Sequence, residues 1–267
     1  MVTVPTAVPA ARWPAPREHP TTYPGAAPGH AYLLVGDHIV PLDVEAAGDA
    51  LACRLPDGTD LDLMLGHLGA TPLAERIPVL AYGANRGPQS LLVKFAHHPH
   101  GGLDAPGVDV LAADAPPLAP PPVGATVVPV LQATVHDHDV VAAGMSLQGF
   151  VFADLVRSAG TAVEVMVTLL DPDQAAAVHD SEGVGAGRYD LATLPGGAEV
   201  TGTGRCLDVL AYACCRKAFV SPEAGSPLAL ATIAATRRAL PALDQLPLLA
   251  HVLRTTGLVP AVAELTG

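Results

Sequence analysis

Two short segments hold the residues whose types and spacing could do chemistry. Tyr82-Gly83-Ala84-Asn85 closes the apolar run Ile77-Pro78-Val79-Leu80-Ala81. A strand that breaks at a glycine lets backbone N–H groups approach an anion closely. Downstream, Glu182-Gly183-Val184-Gly185-Ala186-Gly187-Arg188-Tyr189 places one carboxylate in a glycine-rich loop, where it can move a proton. Each signal alone is ordinary, since Gly and Asn are common turn residues and a glutamate beside glycines is usually solvated. Their weight comes from occurring together, in this order, with β-rich sequence between them.

The elements that must position these residues follow from the apolar pattern. Residues 1–29 carry Pro at 5, 9, 14, 16, 20, 24 and 28 without apolar periodicity, which predicts an extended or disordered Pro-rich arm. Residues 30–75 read as a small preface. Within it, Ala31 to Val40 form two short strands about a Gly-Asp turn, and Leu61 to Leu68 form a short helix before Gly69. The main domain, 76–267, opens on the strand 77–82. Pro88 then starts a helix with Leu91, Leu92 and Phe95 at helical spacing. The stretch 97–122 reads as a long irregular loop. Strands are predicted over 126–135, 149–156 and 161–170, and Asp171-Pro172-Asp173 starts a helix over 173–180 that delivers the chain to Glu182. Further strands fall at 188–193 and 205–212. The spacing of Leu228, Ala231, Ile233 and Ala234, then Leu243, Leu246, Leu249 and Val252, predicts one or two closing helices. Many short strands with few helices point to a closed or strongly curved sheet rather than alternating βαβ units.

Composition excludes several functions. Of 267 residues half are hydrophobic, only 4% are aromatic, and 14 Lys+Arg against 26 Asp+Glu leave a net charge of −12. No basic cluster exists to neutralise phosphates, so nucleic acid and anionic membrane surfaces are not expected partners. Mean hydropathy is +0.37, yet no apolar run reaches the length of a membrane span, about 18 residues. The N-terminus lacks the basic and apolar regions of a signal peptide, which predicts a cytoplasmic protein. Cys53, Cys206, Cys214 and Cys215 show no CxxC spacing and read as reduced thiols, with Cys206 and Cys214 as buried small hydrophobes. His97-His98-Pro99-His100 and His136-Asp137-His138-Asp139 hold metal-type ligands, and His136 and His138 would share one strand face. They lack the i, i+4 spacing of a metal-binding helix, so no metal site is expected. Neither a GxSxG elbow around Ser146 or Ser181 nor a phosphate-binding glycine loop is found.

Together, the turn at 82–85 and the segment at 182–189 resemble the gamma-glutamylcyclotransferase-like family, with its Tyr-Gly-Ser-Asn turn and Glu-Gly-Val…Gly-x-Tyr segment. The similarity spans roughly residues 77–215, and Gly149 to Leu155 with the strand 161–169 loosely match the family's middle strands. The resemblance implies an α+β fold: a small mixed β-barrel with flanking helices, here behind the disordered arm. It implies cofactor-independent cyclisation of a small γ-glutamyl amide to 5-oxoproline. Glu182 would be the general acid/base, with Tyr82, Gly83, Ala84 and Asn85 as the substrate-cradling turn and Tyr189 lining the pocket. Such chemistry needs an anion-holding turn and a partly buried carboxylate of raised pKa. Ala84 stands where the family has serine. The alternative reading is a non-catalytic module that binds a small anion or a partner on the same fold.

Overall fold

The computed structural model describes residues 7–16, 19–48, 50–96, 126–145 and 150–256. The loop expected at 97–122, with His97, His98 and His100, and the start of the strand expected from Gly149 lie outside them. Strand β1 (Val8–Pro9) is followed by β2 (Tyr32–Val35), β3 (His38–Pro41), β4 (Asp43–Ala47), β5 (Ala50–Arg54) and helix α1 (Leu61–His67). Then come β6 (Ile77–Ala81), α2 (Pro88–Ala96), β7 (Val127–Met145), β8 (Val151–Leu170), α3 (Pro172–Glu182), β9 (Tyr189–Thr193), β10 (Ala198–Val200), β11 (Arg205–Leu207) and β12 (Leu210–Cys214). The short β13 (Ala229–Leu230), β14 (Ala235–Thr236) and β15 (Ala242–Leu243) lead into α4 (Gln245–Thr256). The fold is α+β, as expected.

The large sheet runs β1-β3-β2-β7-β8-β6-β12-β9, and β4 pairs only with β5. This differs from the barrel expected: among the described residues β1 and β9 do not pair, so the sheet is open. The reason lies in its two faces. On β2, Leu33 and Val35 enter one core while Tyr32 and Leu34 enter the other; on β6, Leu80 faces opposite to Val79 and Ala81. A sheet covered on both faces reads as continuous apolar runs and needs no closure to bury its side chains. Helices α1 and α4 contribute Leu61, Leu65, Leu248 and Val252 to the first core, and α2 and α3 contribute Leu91, Phe95, Ala175 and Val178 to the second.

The arm also departs from expectation. In its described part β1 pairs antiparallel with β3, Ala10 is fully buried and Tyr23 is 4% exposed. Seven prolines and six alanines among residues 1–29 give little periodicity, but short extended pieces can still pair and pack. Strand β2, from the segment read as a preface, pairs with both β3 and β7 in the large sheet. The predicted closing helices reduce to α4 alone; residues 228–243 supply β13 to β15 instead. Their backbone serves the sheet, with Leu228 O accepting from Ala142 N and Ala234 O from Glu164 N, both at 2.9 Å. Cys206 is exposed and Cys214 half-buried rather than buried, and all four cysteines are free thiols. Among the described residues no helix is long and apolar enough to cross a membrane.

Candidate functional site

Strand β6 delivers the first segment. Its ladder with β8 runs from Ile77–Leu170 to Ala81–Met166. Beyond Ala81 the chain leaves the sheet, and Ala84–Arg86 form a single 3-10 turn before α2. Helix α2 is seated through Leu91, Leu92 and Phe95, all buried. Burying each such side chain contributes about 1.5–3 kcal/mol, so the helix and its Lys94 are held firmly against the sheet.

Helix α3 delivers the second segment. Asp171 caps its start, with Gln174 N donating to Asp171 Oδ1 at 2.8 Å and Asp171 N to Gln174 Oε1 at 3.1 Å, and Pro172 occupies the first turn. The buried Arg76 ties this end down, donating to the carbonyls of Val127 and Leu169 and to Gln174 Oε1. At the other end Gly183 ends the helix at φ +69°, the left-handed conformation glycine adopts without strain. Glu182 is therefore the last residue of α3, rather than a member of the glycine loop. A carboxylate at a helix C-terminus meets the negative end of the dipole and needs cationic partners.

Those partners are present. Glu182 Oε1 accepts from Lys94 Nζ at 2.5 Å and from Asn85 Nδ2 at 2.9 Å. The Glu182 and Lys94 side chains are 19% and 16% exposed. Burial would raise the Glu182 carboxyl, but the Lys94 charge, the hydrogen bonds from Lys94 and Asn85, and the Arg188 charge outweigh it and hold the group below its ordinary value. The raised pKa expected of this carboxylate is thus reversed. A close ammonium stabilises the anion more than burial penalises it.

One cavity of about 760 Å³ is lined by Tyr82, Gly83, Ala84, Asn85, Glu182 and Tyr189. All six residues singled out from the sequence meet there. Sequence reasoning missed Lys94, Arg188 and Arg216, which also line it, and Tyr23 and Tyr212. The chain has five tyrosines and four phenylalanines, and Tyr23, Tyr82, Tyr189, Tyr212, Phe150 and Phe152 are all in this wall. That concentration of a scarce residue type was the signal to follow. The hydroxyls are ordered: Tyr82 donates to Tyr212 O, Tyr189 donates to Ala153 O at 2.7 Å, and Tyr212 Oη shares a hydrogen bond with His179 Nδ1 at 2.7 Å. Asn85 Oδ1 is buried and has no partner among the described residues.

The histidines of β7 are arranged otherwise. Asp137 takes φ +56° where the β7–β8 register shifts, so His136 and His138 flank an irregularity instead of alternating along one regular face. His136 Nε2 meets Glu199 Oε2 at 2.7 Å, and His138 Nδ1 meets the carbonyl of His136 at 2.8 Å. Among the described residues no group of three or more His, Cys, Asp or Glu could hold a metal ion.

No family model matches the chain, and no curated protein matches it. Among solved structures it is similar to a protein named gamma-glutamyl cyclotransferase, with TM-score 0.35 and 16% identity over 52% of this chain and 67% of that one. An uncharacterised protein from Homo sapiens gives the same TM-score, identity and coverage. YkqA from Bacillus subtilis gives TM-score 0.34 and 13% identity, covering 73% of this chain and 60% of that one.

Proposed function

We propose that this chain is a gamma-glutamylcyclotransferase-like enzyme that converts a small γ-glutamyl amide to 5-oxoproline and a free amine. The reading is carried by one hydrogen bond, from Asn85 of the bend to Glu182 across 97 positions of sequence, on the wall of one cavity. In the reaction the substrate's own α-amine attacks its γ-carbonyl. The new C–N bond forms as the carbonyl electron pair moves onto oxygen. Glu182, held ionised, takes a proton from the attacking nitrogen and passes it to the departing one. The oxygen pair then re-forms the carbonyl and expels the amine, so no other reactant is needed. A carboxylate stabilised by Lys94 is a modest base, but once protonated it is a strong acid, suited to the second transfer. Tyr82, Gly83, Ala84, Asn85 and Tyr189 form the substrate wall in this reading, and folding the substrate against them favours ring closure.

A second reading, a non-catalytic module that binds a small anion, is favoured by Lys94, Arg188 and Arg216 facing the cavity and by Ala84 in the bend. One experiment separates the two. The full chain is incubated with γ-glutamyl amides of increasing amine size, and 5-oxoproline is measured by mass spectrometry. Release is expected, and amides with bulky apolar amines should turn over best. The aromatic wall and a volume within the range of about 300–1,000 Å³ typical of larger ligands support that preference. Ligands that stabilise the fold but are recovered intact would favour the binding module.

A further inference from the structure

The N-terminal arm lines the cavity with Ala15, Pro16 and Tyr23, and of these only Tyr23 brings a polar side chain. The Tyr23 ring stacks on Phe150 with centroids 4.9 Å apart and planes 9° from parallel. Its hydroxyl oxygen accepts the N–H of Ala153 at 3.0 Å and stands 2.6 Å from where a Cβ on Gly83 would lie. The hydroxyl end of the ring therefore rests on the bend, and only glycine fits beneath it. Gly83, Ala84 and Ala153, the residues around this oxygen, all line the cavity.

Tyr23 differs from its neighbours in what its proton does. Tyr82 and Tyr189 each donate to a backbone carbonyl. Tyr23 accepts, and among the described residues its own proton has no acceptor. The backbone of Ala153 fixes both rings: its carbonyl oxygen accepts from Tyr189 and its N–H donates to the oxygen of Tyr23. The remaining O–H must rotate away from that N–H. A buried donor without an acceptor is unfavourable, and a ligand oxygen in the cavity would relieve it.

We propose that Tyr23 is a catalytic residue that donates a hydrogen bond to the γ-carbonyl oxygen of the substrate as negative charge develops there. The proposal rests on the cyclotransferase reading of the site. Tyr23 keeps its proton throughout, because burial raises the phenol far above its ordinary value and a neutral donor is what a developing oxyanion needs. The arm would then complete the active site rather than merely cover it.

The test uses the full chain and its Tyr23→Phe and Gly83→Ala variants, with folding checked by circular dichroism and thermal melting. Tyr23→Phe keeps the ring on Phe150 and removes the hydroxyl, both the donor and the acceptor of the Ala153 N–H. Its kcat for 5-oxoproline release should fall about 100-fold, as for loss of one oxyanion donor, while KM changes little. Binding of 5-oxoproline, whose ring carbonyl is the former γ-carbonyl, should weaken up to about tenfold by calorimetry. Gly83→Ala, which keeps the hydroxyl but pushes it aside, should lose kcat similarly. Full kcat in folded Tyr23→Phe overturns the role of Tyr23 alone. A wild-type chain that releases no 5-oxoproline from any amide overturns the cyclotransferase reading, and the catalytic role with it.

Discussion

Lys94 sets what Glu182 can do. With the ammonium in place the carboxyl titrates below its ordinary value of 4.5. The ionised form is then populated down to lower pH, and any activity that needs it should persist there. In Lys94→Met the stem still packs but the charge is gone, leaving burial as the dominant influence and raising the Glu182 pKa. The acid limb of the rate–pH profile should move to higher pH, and a limb that stays in place would show that another group governs it. The same sign applies to stability: a depressed folded-state pKa contributes stability above the unfolded value and loses it as pH falls through the folded one. Lys94 was not legible as a partner, because a lone lysine on a helix reads as a solvated charge. It is, however, one of only two lysines in the chain, and a cation kept where cations are scarce was a usable hint.

At the scale of elements, the long β7–β8 hairpin depends on a buried ion pair. Asp139 on β7 is fully buried, and Arg238 Nε and Nη2 both donate to its carboxylate, at 2.9–3.2 Å, while Nη2 also donates to Ile233 O at 2.7 Å. This clasp holds the segment carrying β13 to β15 against the sheet. Arg238→Ala strands the Asp139 charge in the core and should cost about 3–5 kcal/mol, the cost of breaking one partner of a buried pair. Urea unfolding measures it, and a loss near zero would mean that the segment is held by other contacts. The pair joins residues 99 apart, beyond the reach of local pattern. For the same reason Leu228 to Ala234 read as helix: spacing shows which side chains want burial, not that a strand's free edge will recruit their backbone. Where local rules suffice, as for Pro88 starting α2 and the Asp171 cap of α3, elements and boundaries agree closely with the expectation. Glu182 belongs to α3 because that helix runs on to the glycine that can end it.

At the scale of the whole molecule, the net charge of −12 conceals a local reversal, since Lys94, Arg188 and Arg216 share the cavity with Glu182. An anionic ligand would be held by this local field, and the overall charge says little about the site. Sequence order correctly paired the bend with the acid but gave no hint of the open, doubly covered sheet, because apolar runs are equally at home in a barrel wall and between two helical layers. Nor did it place the arm, which pairs with the sheet through β1 and reaches the cavity through Ala15, Pro16 and Tyr23. In the proposed reaction the acid and the bend act as one site, and the variant that bears on this most directly is Glu182→Gln, which keeps the hydrogen-bonding shape but cannot carry the proton. Release of 5-oxoproline from the best γ-glutamyl amide should fall by about 100- to 10,000-fold relative to wild type, the range for loss of a general acid/base, in a chain that melts like wild type. Wild-type turnover in that variant would contradict the assignment.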